Sequence, residues 1–584
     1  MSAPRFLPTT RAEMDSLGWD EIDVLLVTGD AYVDHPAFGA ALLGRWLVAE
    51  GWRVGIAAQP RWDRTDDIMR LGRPRLFAGA TAGALDSMLA HYTAFRKKRS
   101  DDAYTPGGAG GARPNRASIV YTGLLKRAFP GLPVVLGGIE ASLRRAAHYD
   151  FWSDSLRRSI LLDSKADLLV YGMGERAIAE IARRLAYSAN LHKLRGIPGT
   201  AFMGGPVDLP AGAACARLPS YEEIQGDPKR LLEATLALEA QMRSGSWALQ
   251  AHADRAVIVA PPAEPLDSAE LDRLYALPFT RLAHPSYREA IPAVEMLRSS
   301  ITAHRGCAGG CSFCALALHQ GRRISSRSRG SITAEVSALS RRPDWDGTVS
   351  DVGGPSANMW GARCAADPKA CRRTSCLTPS ICPDFQDDQD GLVELLRALR
   401  ALPGVKHIRV ASGVRHDLAL RSPAYCRALA AEFTGGQLKL APEHASDTVL
   451  ALMRKPAFKT FERFLTLFEK ESRAAGKEQY VIPYLMSAFP GCTDADMRAL
   501  AGWLKARGWK PRQAQCFIPV PGTVATALFY AGTDLEGRRI KVARTDAERL
   551  RQHRILTEGW GRPGQVPRAT SPSGRTRPRS ARPR

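Results

Sequence analysis

Short apolar runs, each closed by glycine or a polar residue and followed by a stretch with helical spacing, recur along this chain. In the second half the runs at 297–302, 348–352, 407–411, 437–440, 480–486 and 513–518 each predict a strand. Several of them lead into small or polar pairs, namely Gly353-Gly354, Ser412-Gly413 and Glu443-His444. Between them the pattern predicts helices over 332–339 with Ser331 as cap, 390–399 capped by Asp390, 425–433, 461–474 and 493–506. Thr493 and Asp496 have the spacing of a capping box. Strand–helix alternation of this kind implies a parallel sheet with right-handed crossovers. Six such units closing partway give a partial (β/α)6 barrel, expected over 296–535, with its chemistry at the C-terminal strand ends.

The first 200 residues alternate in the same way. Strands are expected at 24–27, 53–57, 133–136 and 167–171, with a helix over 39–50. The pattern is that of an open, doubly wound α/β sheet of flavodoxin-like type. Residues 99–116 read as a flexible excursion, and the Pro-rich segment 201–295 as a bridge between the two domains. Residues 536–584 form a C-terminal extension that ends in a basic tail.

Composition narrows the setting. At 584 residues two or three domains are expected, and 45% hydrophobic residues suffice for real cores. There is no apolar run long enough to span a bilayer and no signal-peptide pattern, so a cytoplasmic protein without membrane attachment is expected. Eleven cysteines in that setting point to metal sites and free thiols rather than disulfides. Net charge is +22 and the pI near 9.8. Seven arginines without an acid between Arg562 and Arg584 predict a disordered tail. A nucleic-acid partner is one account of the charge. An arginine-rich composition is the other, since the basic residues are dispersed and form no stripe with aromatics.

The densest chemistry is Cys307-Ala-Gly-Gly-Cys311-Ser-Phe-Cys314, spaced C-x3-C-x2-C. Three thiolates this close cannot complete a four-cysteine site, but they can hold three irons of a cubane cluster and leave the fourth open for a small molecule. A zinc knuckle would ask for four ligands in C-x2-C pairs. With Ala303-His-Arg-Gly leading in and Gly321-Arg-Arg-Ile-Ser-Ser-Arg-Ser328 leading out, the segment resembles the radical S-adenosylmethionine (SAM) enzymes. The resemblance implies a 4Fe–4S cluster on Cys307, Cys311 and Cys314, SAM on the open iron, and a radical SAM barrel as the C-terminal domain. It also implies that Gly353 and Gly354 bind SAM through backbone groups. The acid usual third in that motif is Pro355 here. Ser412 and Glu443, at the ends of strands three and four, are candidates for the SAM ribose or amino group, with a helix cap as the alternative for Glu443. Arg323, Arg327 and Arg329 are candidates for its carboxylate or a solvated basic loop. Phe313 would pack near the adenine or shield the cluster. His444 is a candidate base or a satisfied polar residue.

Cys364, Cys371, Cys376 and Cys382 fall in an insertion, 360–385, with little apolar content to fold it. A second metal site, zinc or a further iron–sulfur cluster, would supply the missing stability; unpaired thiols are the alternative. Cys215, Cys426, Cys492 and Cys516 read as core thiols.

The whole chain to about residue 530 resembles the YgiQ-type radical SAM family. The carrying stretches are Val27-Thr-Gly-Asp-Ala-Tyr-Val-Asp-His-Pro36, Val135-Leu-Gly-Gly-Ile-Glu-Ala-Ser142, the triad, Gly353-Gly-Pro-Ser-Ala-Asn-Met359, Lys439-Leu-Ala-Pro-Glu-His444 and Gly476-Lys-Glu-Gln-Tyr-Val-Ile-Pro-Tyr484. The N-terminal sheet also resembles cobalamin-binding domains, which place a histidine under cobalt through D-x-H-x-x-G. Asp34-His35-Pro-Ala-Phe-Gly39 departs from that spacing, so His35 is expected to be a loop residue and the domain to lack cobalamin. The post-cluster stretch is shared with methylthiotransferases, but residues 1–200 contain no cysteine for their additional cluster. The expected function is reductive cleavage of SAM to a 5′-deoxyadenosyl radical that abstracts hydrogen from an unknown substrate, an RNA or a protein. The electron would come from a donor such as flavodoxin or ferredoxin. The alternative is a non-enzymatic iron–sulfur redox or RNA-binding protein.

Overall fold

The computed structural model describes residues 5–367, 370–511 and 513–558, so the basic tail lies outside the described residues. The fold is mixed α/β. Its first body is a nine-stranded sheet of β1 (Val24–Thr28), β2 (Val54–Ala58), β3 (Phe77–Thr81), β4 (Val134–Leu136), β5 (Leu168–Val170), β6 (Thr200–Met203), β7 (Cys215–Leu218), β8 (Trp247–His252) and β9 (Arg255–Val259). The strand order is β2-β1-β3-β4-β5-β6-β9-β8-β7. The first five are parallel, with Leu26 opposite both Ile56 and Gly79. Every residue of β1 is buried. A parallel strand covered on both faces loses the in–out alternation and reads as one apolar run.

From β5 the sheet turns antiparallel, through β6 and β9 to β8, and ends in the parallel pair β8–β7. Residues 200–259, expected to bridge, therefore extend the sheet. Pro206, Pro210, Pro219 and Pro228 sit between the new strands rather than in them, and their density masked the strand pattern.

The excursion at 99–116 is pinned rather than free. Arg113, fully buried, donates to Asp102 at 3.0 Å and to the Ala82 carbonyl at 2.8 Å, and lies 3.0 Å from Asp30. Asp30 follows β1 and Ala82 follows β3, so the chain fills the crevice at the C-terminal edge of its own sheet. Burial pushes the Asp30 carboxyl up to about 6, with Arg113 opposing.

The second body carries β10 (Ser300–Thr302), β11 (Thr348–Val349), β12 (Asp351–Gly353), β13 (His407–Ile408), β14 (Gln437–Glu443), β15 (Tyr480–Ser487) and β16 (Gln513–Cys516). β11 and β12 are two halves of one expected strand. β10 pairs with β12, β11 with β13, β14 with β15 and β15 with β16, all parallel. A parallel bridge between Val414 and Leu440 joins the third position to the fourth. The six positions thus stand side by side in chain order, and their C-terminal ends share one face.

The connecting helices form where expected, with shifted starts. Ser328, not Ser331, caps Arg329–Leu339, its hydroxyl accepting the Ser331 N–H at 3.1 Å. Asp388, not Asp390, caps Gln389–Arg400 through the Gly391 N–H at 2.8 Å. In each case the upstream residue has the extended or non-helical backbone that a cap requires. The Thr493–Asp496 capping box is present. Beyond the barrel strands, helix Asp546–Thr557 carries Arg549, whose Nη2 donates to Phe517 O at 2.6 Å and Ala94 O at 2.9 Å.

Replacing Arg113 would strand two buried carboxylates. Arg113→Ala should lower unfolding free energy by about 3–5 kcal/mol, read from urea titration of the full chain. A loss under 1 kcal/mol would show that the crevice is not held by this ion pair.

Candidate active site at the cysteine loop

The cysteine loop leaves the C-terminal end of β10. His304 and Arg305 pair antiparallel with Ser326 and Ser325, which closes the base of the loop. Cys307 N–H donates to Gly321 O and Cys314 N–H to Cys311 O, both at 3.1 Å. Gly306 and Gly310 both have positive φ, and a Cβ on either would collide with a backbone carbonyl, of Arg323 and Thr374 respectively. The turn between the first two cysteines is therefore achievable only with glycine. A Cβ on Gly309 would lie 3.4 Å from the Cys307 sulfur and 3.7 Å from that of Cys311, so the missing side chain leaves open the space between the two thiols.

Burial, and then the neighbouring thiols, push Cys307 upward and Cys314 up to about 12. As free thiols they stay protonated; as metal ligands they would need compensating positive charge. Arg415 stands ready to share that role. Its Nη1 is 3.8 Å from the Cys311 sulfur, and its Nε donates to Asp417 at 2.9 Å. Its backbone N–H donates to Asn358 Oδ1 at 2.8 Å, and Asn358 returns a bond to Arg415 O at 3.1 Å. The donor set, the glycine cradle and the adjacent cation fit an anionic iron–sulfur cluster. Among the described residues no three His, Cys, Asp or Glu side chains converge as ligands of a single ion would; a cubane places a separate iron before each thiolate.

Arg415 and Asn358 are not among the site residues expected from the sequence. Their signal is Arg415-His-Asp417, three polar residues directly after a strand-end Ser-Gly, and the asparagine of Gly353-Gly-Pro-Ser-Ala-Asn358.

Gly353, Gly354, Ser412 and Glu443 all lie at the same strand-end face. A Cβ on Gly354 would sit 2.6 Å from His304 O, and one on Gly353 2.7 Å from Ser412 Oγ. Close packing alone thus requires glycine at both positions. The Ser412 hydroxyl is buried and has no hydrogen-bond partner. Glu443 has φ +69°, at a register shift in the β14–β15 pairing. A non-glycine residue in that region stores strain that the surrounding fold must hold. Burial raises its carboxyl, opposed by Lys455, 3.8 Å away.

Other candidates are engaged elsewhere. Arg323 pairs with Glu264 and Arg329 with Glu394 on the surface, while Arg327 is buried against Glu335 and Tyr275. His444 Nδ1 accepts from Ala445 and Ser446 N–H, its Nε2 is 3.5 Å from the Cys492 sulfur, and burial lowers it to about 4. Both ring nitrogens of His35 are occupied, by Ala37 N–H at 3.0 Å and Arg281 at 3.1 Å. Phe313 meets Phe489 edge-on at 6.2 Å.

The cysteine-rich insertion docks on the loop. Cys376 N–H donates to Ala308 O at 3.1 Å, and Ser375 Oγ to Gly309 O at 2.5 Å. Cys382 N–H donates to Cys376 O at 2.7 Å, and Cys364 lies in a two-residue pairing with Phe385. Burial raises the Cys376 thiol; Arg322, 3.7 Å away, opposes, and Cys364, Cys371 and Cys382 add to the rise.

The Radical SAM N-terminal family profile matches residues 6–300. A UPF0313 protein of Geobacter sulfurreducens is 52% identical over 94% of this chain and 92% of its own length. The UPF0313 protein YgiQ of Salmonella typhimurium is 46% identical over 91% and 82%. Among solved structures, the radical SAM methyltransferase TsrM of Kitasatospora setae, with cobalamin and a 4Fe–4S cluster bound, superposes with TM-score 0.49 at 15% identity, over 86% of this chain and 76% of its own. That likeness is too loose to assign chemistry. The chain belongs to the UPF0313 family of YgiQ-type radical SAM proteins and is a radical SAM enzyme.

The Arg415–Asp417 pair has a pH signature. Burial raises the Asp417 carboxyl, but Arg415 outweighs it and holds the group at about 2, below its usual 3.8. Its contribution is therefore complete above pH 3.8 and is lost as pH falls toward about 2. Acid-unfolding curves of wild type should lose on the order of 2 kcal/mol more than Asp417→Asn across that window. Equal slopes would contradict the assignment.

Proposed function

We propose that Cys307, Cys311 and Cys314 hold a 4Fe–4S cluster, and that the protein uses it to cleave SAM reductively and abstract hydrogen from its substrate. The carrying observation is the glycine-cradled C-x3-C-x2-C loop at the mouth of six parallel strands, with Arg415 against its central cysteine. When bound, such a cluster passes one electron to the SAM sulfonium, whose S–C5′ bond breaks to give methionine and a 5′-deoxyadenosyl radical.

The chain's own residues bind and orient. Arg415 offsets the negative charge of the thiolates, and Asp417 fixes its guanidinium. The Ser412 hydroxyl is a buried group left unsatisfied at the strand-end face, so it is assigned a polar group of SAM. Glu443, held at its strained strand end, is assigned the amino group or ribose. Phe313, edge-on to Phe489, is assigned to pack near the adenine or to shield the cluster. In this reading the six-strand array acts as a partial (β/α)6 barrel and the N-terminal sheet as a flavodoxin-like platform. A flavodoxin or ferredoxin in the cytoplasm supplies the electron, and the substrate is an RNA or a protein.

Anaerobically reconstituted full-length protein given dithionite and SAM should release 5′-deoxyadenosine and methionine in equal amounts, and Cys311→Ala should release neither. Absence of both products from wild type would overturn the proposal.

Cys364, Cys371, Cys376 and Cys382 are proposed as a second metal site, since backbone bonds tie Cys376 to Ala308 and Cys382 to Cys376, and the thiols of Cys364, Cys371 and Cys382 all bear on that of Cys376. Metal and sulfide counts on a Cys371→Ala/Cys376→Ala double variant decide its kind. Loss of about four irons marks a further cluster, and loss of zinc with iron unchanged marks a zinc site. An unchanged count of both overturns the site.

A further inference from the structure

Ten arginines are buried among the described residues, and eight of them pair with a carboxylate. Of the other two, Arg549 donates to two backbone carbonyls and lies against the Cys516 sulfur. Arg549 also leaves two buried nitrogens, Nε and Nη1, without a partner. Arg145 shares that state at the wall of a cavity. Its Nη1 donates to Ser142 O at 2.7 Å, its ring-facing side lies 4.8 Å from the Tyr171 centroid, and its buried Nε has no partner. Burial without an anion lowers its pKa.

Arg145 faces a cavity between the two bodies. Its walls include His148 and Leu143 from the sheet side, Leu238 from helix Lys229–Ser244, Leu318 from the helix that begins after Cys314, and Thr526 from the last barrel helix. The cavity volume of about 20 Å³ is room for a water or the head of a small anion. His148 also points an unsatisfied group at it. Its Nδ1 lies 3.1 Å from Ala146 O, which assigns the proton there and leaves Nε2 as a buried acceptor without a partner. Burial lowers this histidine to about 4, so the ring is neutral. Glu239, the carboxylate on the same wall, is already held by Arg454 at 2.6 and 3.1 Å.

A buried cation without an anion is costly, and where it lines a cavity a ligand can supply the matching anion. We propose that this cavity is a binding site for a small carboxylate, with Arg145 taking the carboxylate and His148 Nε2 accepting from an amino or hydroxyl group beside it. The ligand class is a hydroxy- or amino-carboxylate end, held at the back of the helix that carries the third cluster cysteine. The binding does not rest on the proposed radical chemistry, and it is measured without SAM or reductant.

The test is the thermal melting of full-length reconstituted protein at constant ionic strength with formate, glycolate or chloride. Formate and glycolate should raise the wild-type melting temperature by about 2 °C or more at saturation, glycolate the more. Arg145→Met should melt at or above wild type without additive and show no carboxylate-dependent rise. His148→Gln should keep the formate effect and lose the glycolate preference. No rise in wild type, an equal rise in Arg145→Met, or a chloride effect as large as that of formate would overturn the site. An unchanged glycolate preference in His148→Gln would overturn the role of His148.

Discussion

A guanidinium withdrawn from water is costly unless it is paired, and eight of the ten buried arginines among the described residues meet a carboxylate. Arg415 shows it at the centre of the candidate site. Its charge is shared between the Asp417 carboxylate and the Cys311 sulfur, and its backbone is locked to Asn358. Asn358 in turn lies at the end of the strand that carries Gly353 and Gly354, and it bonds Gln389 at the start of the next helix. Fixing one cation beside the thiols thus fixes the loop ends of two neighbouring strands.

The same rule explains how a chain of net charge +22 builds two cores. Arg113 closes the crevice of the sheet, Arg305 reaches Glu175 from the barrel into the sheet domain, and Arg454 does the same toward Glu239. These buried pairs lend specificity more than net stability, because desolvation offsets most of the attraction. They do set register between bodies that apolar contact alone would let slide.

Much of the strand framework was legible because buried parallel strands are continuous apolar runs, as at 24–28 and 437–440. The cysteine loop was legible because its chemistry is local in sequence. What stayed hidden was whatever depends on partners distant along the chain. Nothing near residue 113 marks it as buried, and nothing near residue 145 marks it as lacking a carboxylate. Cap positions slipped by two or three residues because Ser328 and Ser331, or Asp388 and Asp390, are equivalent by type and differ only in backbone conformation. The strands at 200–259 were lost in proline-rich context, although the prolines occupy the turns.

Arg549 joins carbonyls of residues 94 and 517, more than four hundred positions apart. This ties the loop after the helix Ser87–His91 to the end of the last barrel strand. The two bodies cannot part there without exposing a buried guanidinium and two carbonyls together. Arg305 with Glu175 and Arg454 with Glu239 add buried ion pairs between the bodies. Separating the bodies would thus expose several buried charges at once, a cost set by contacts that take no part in the chemistry.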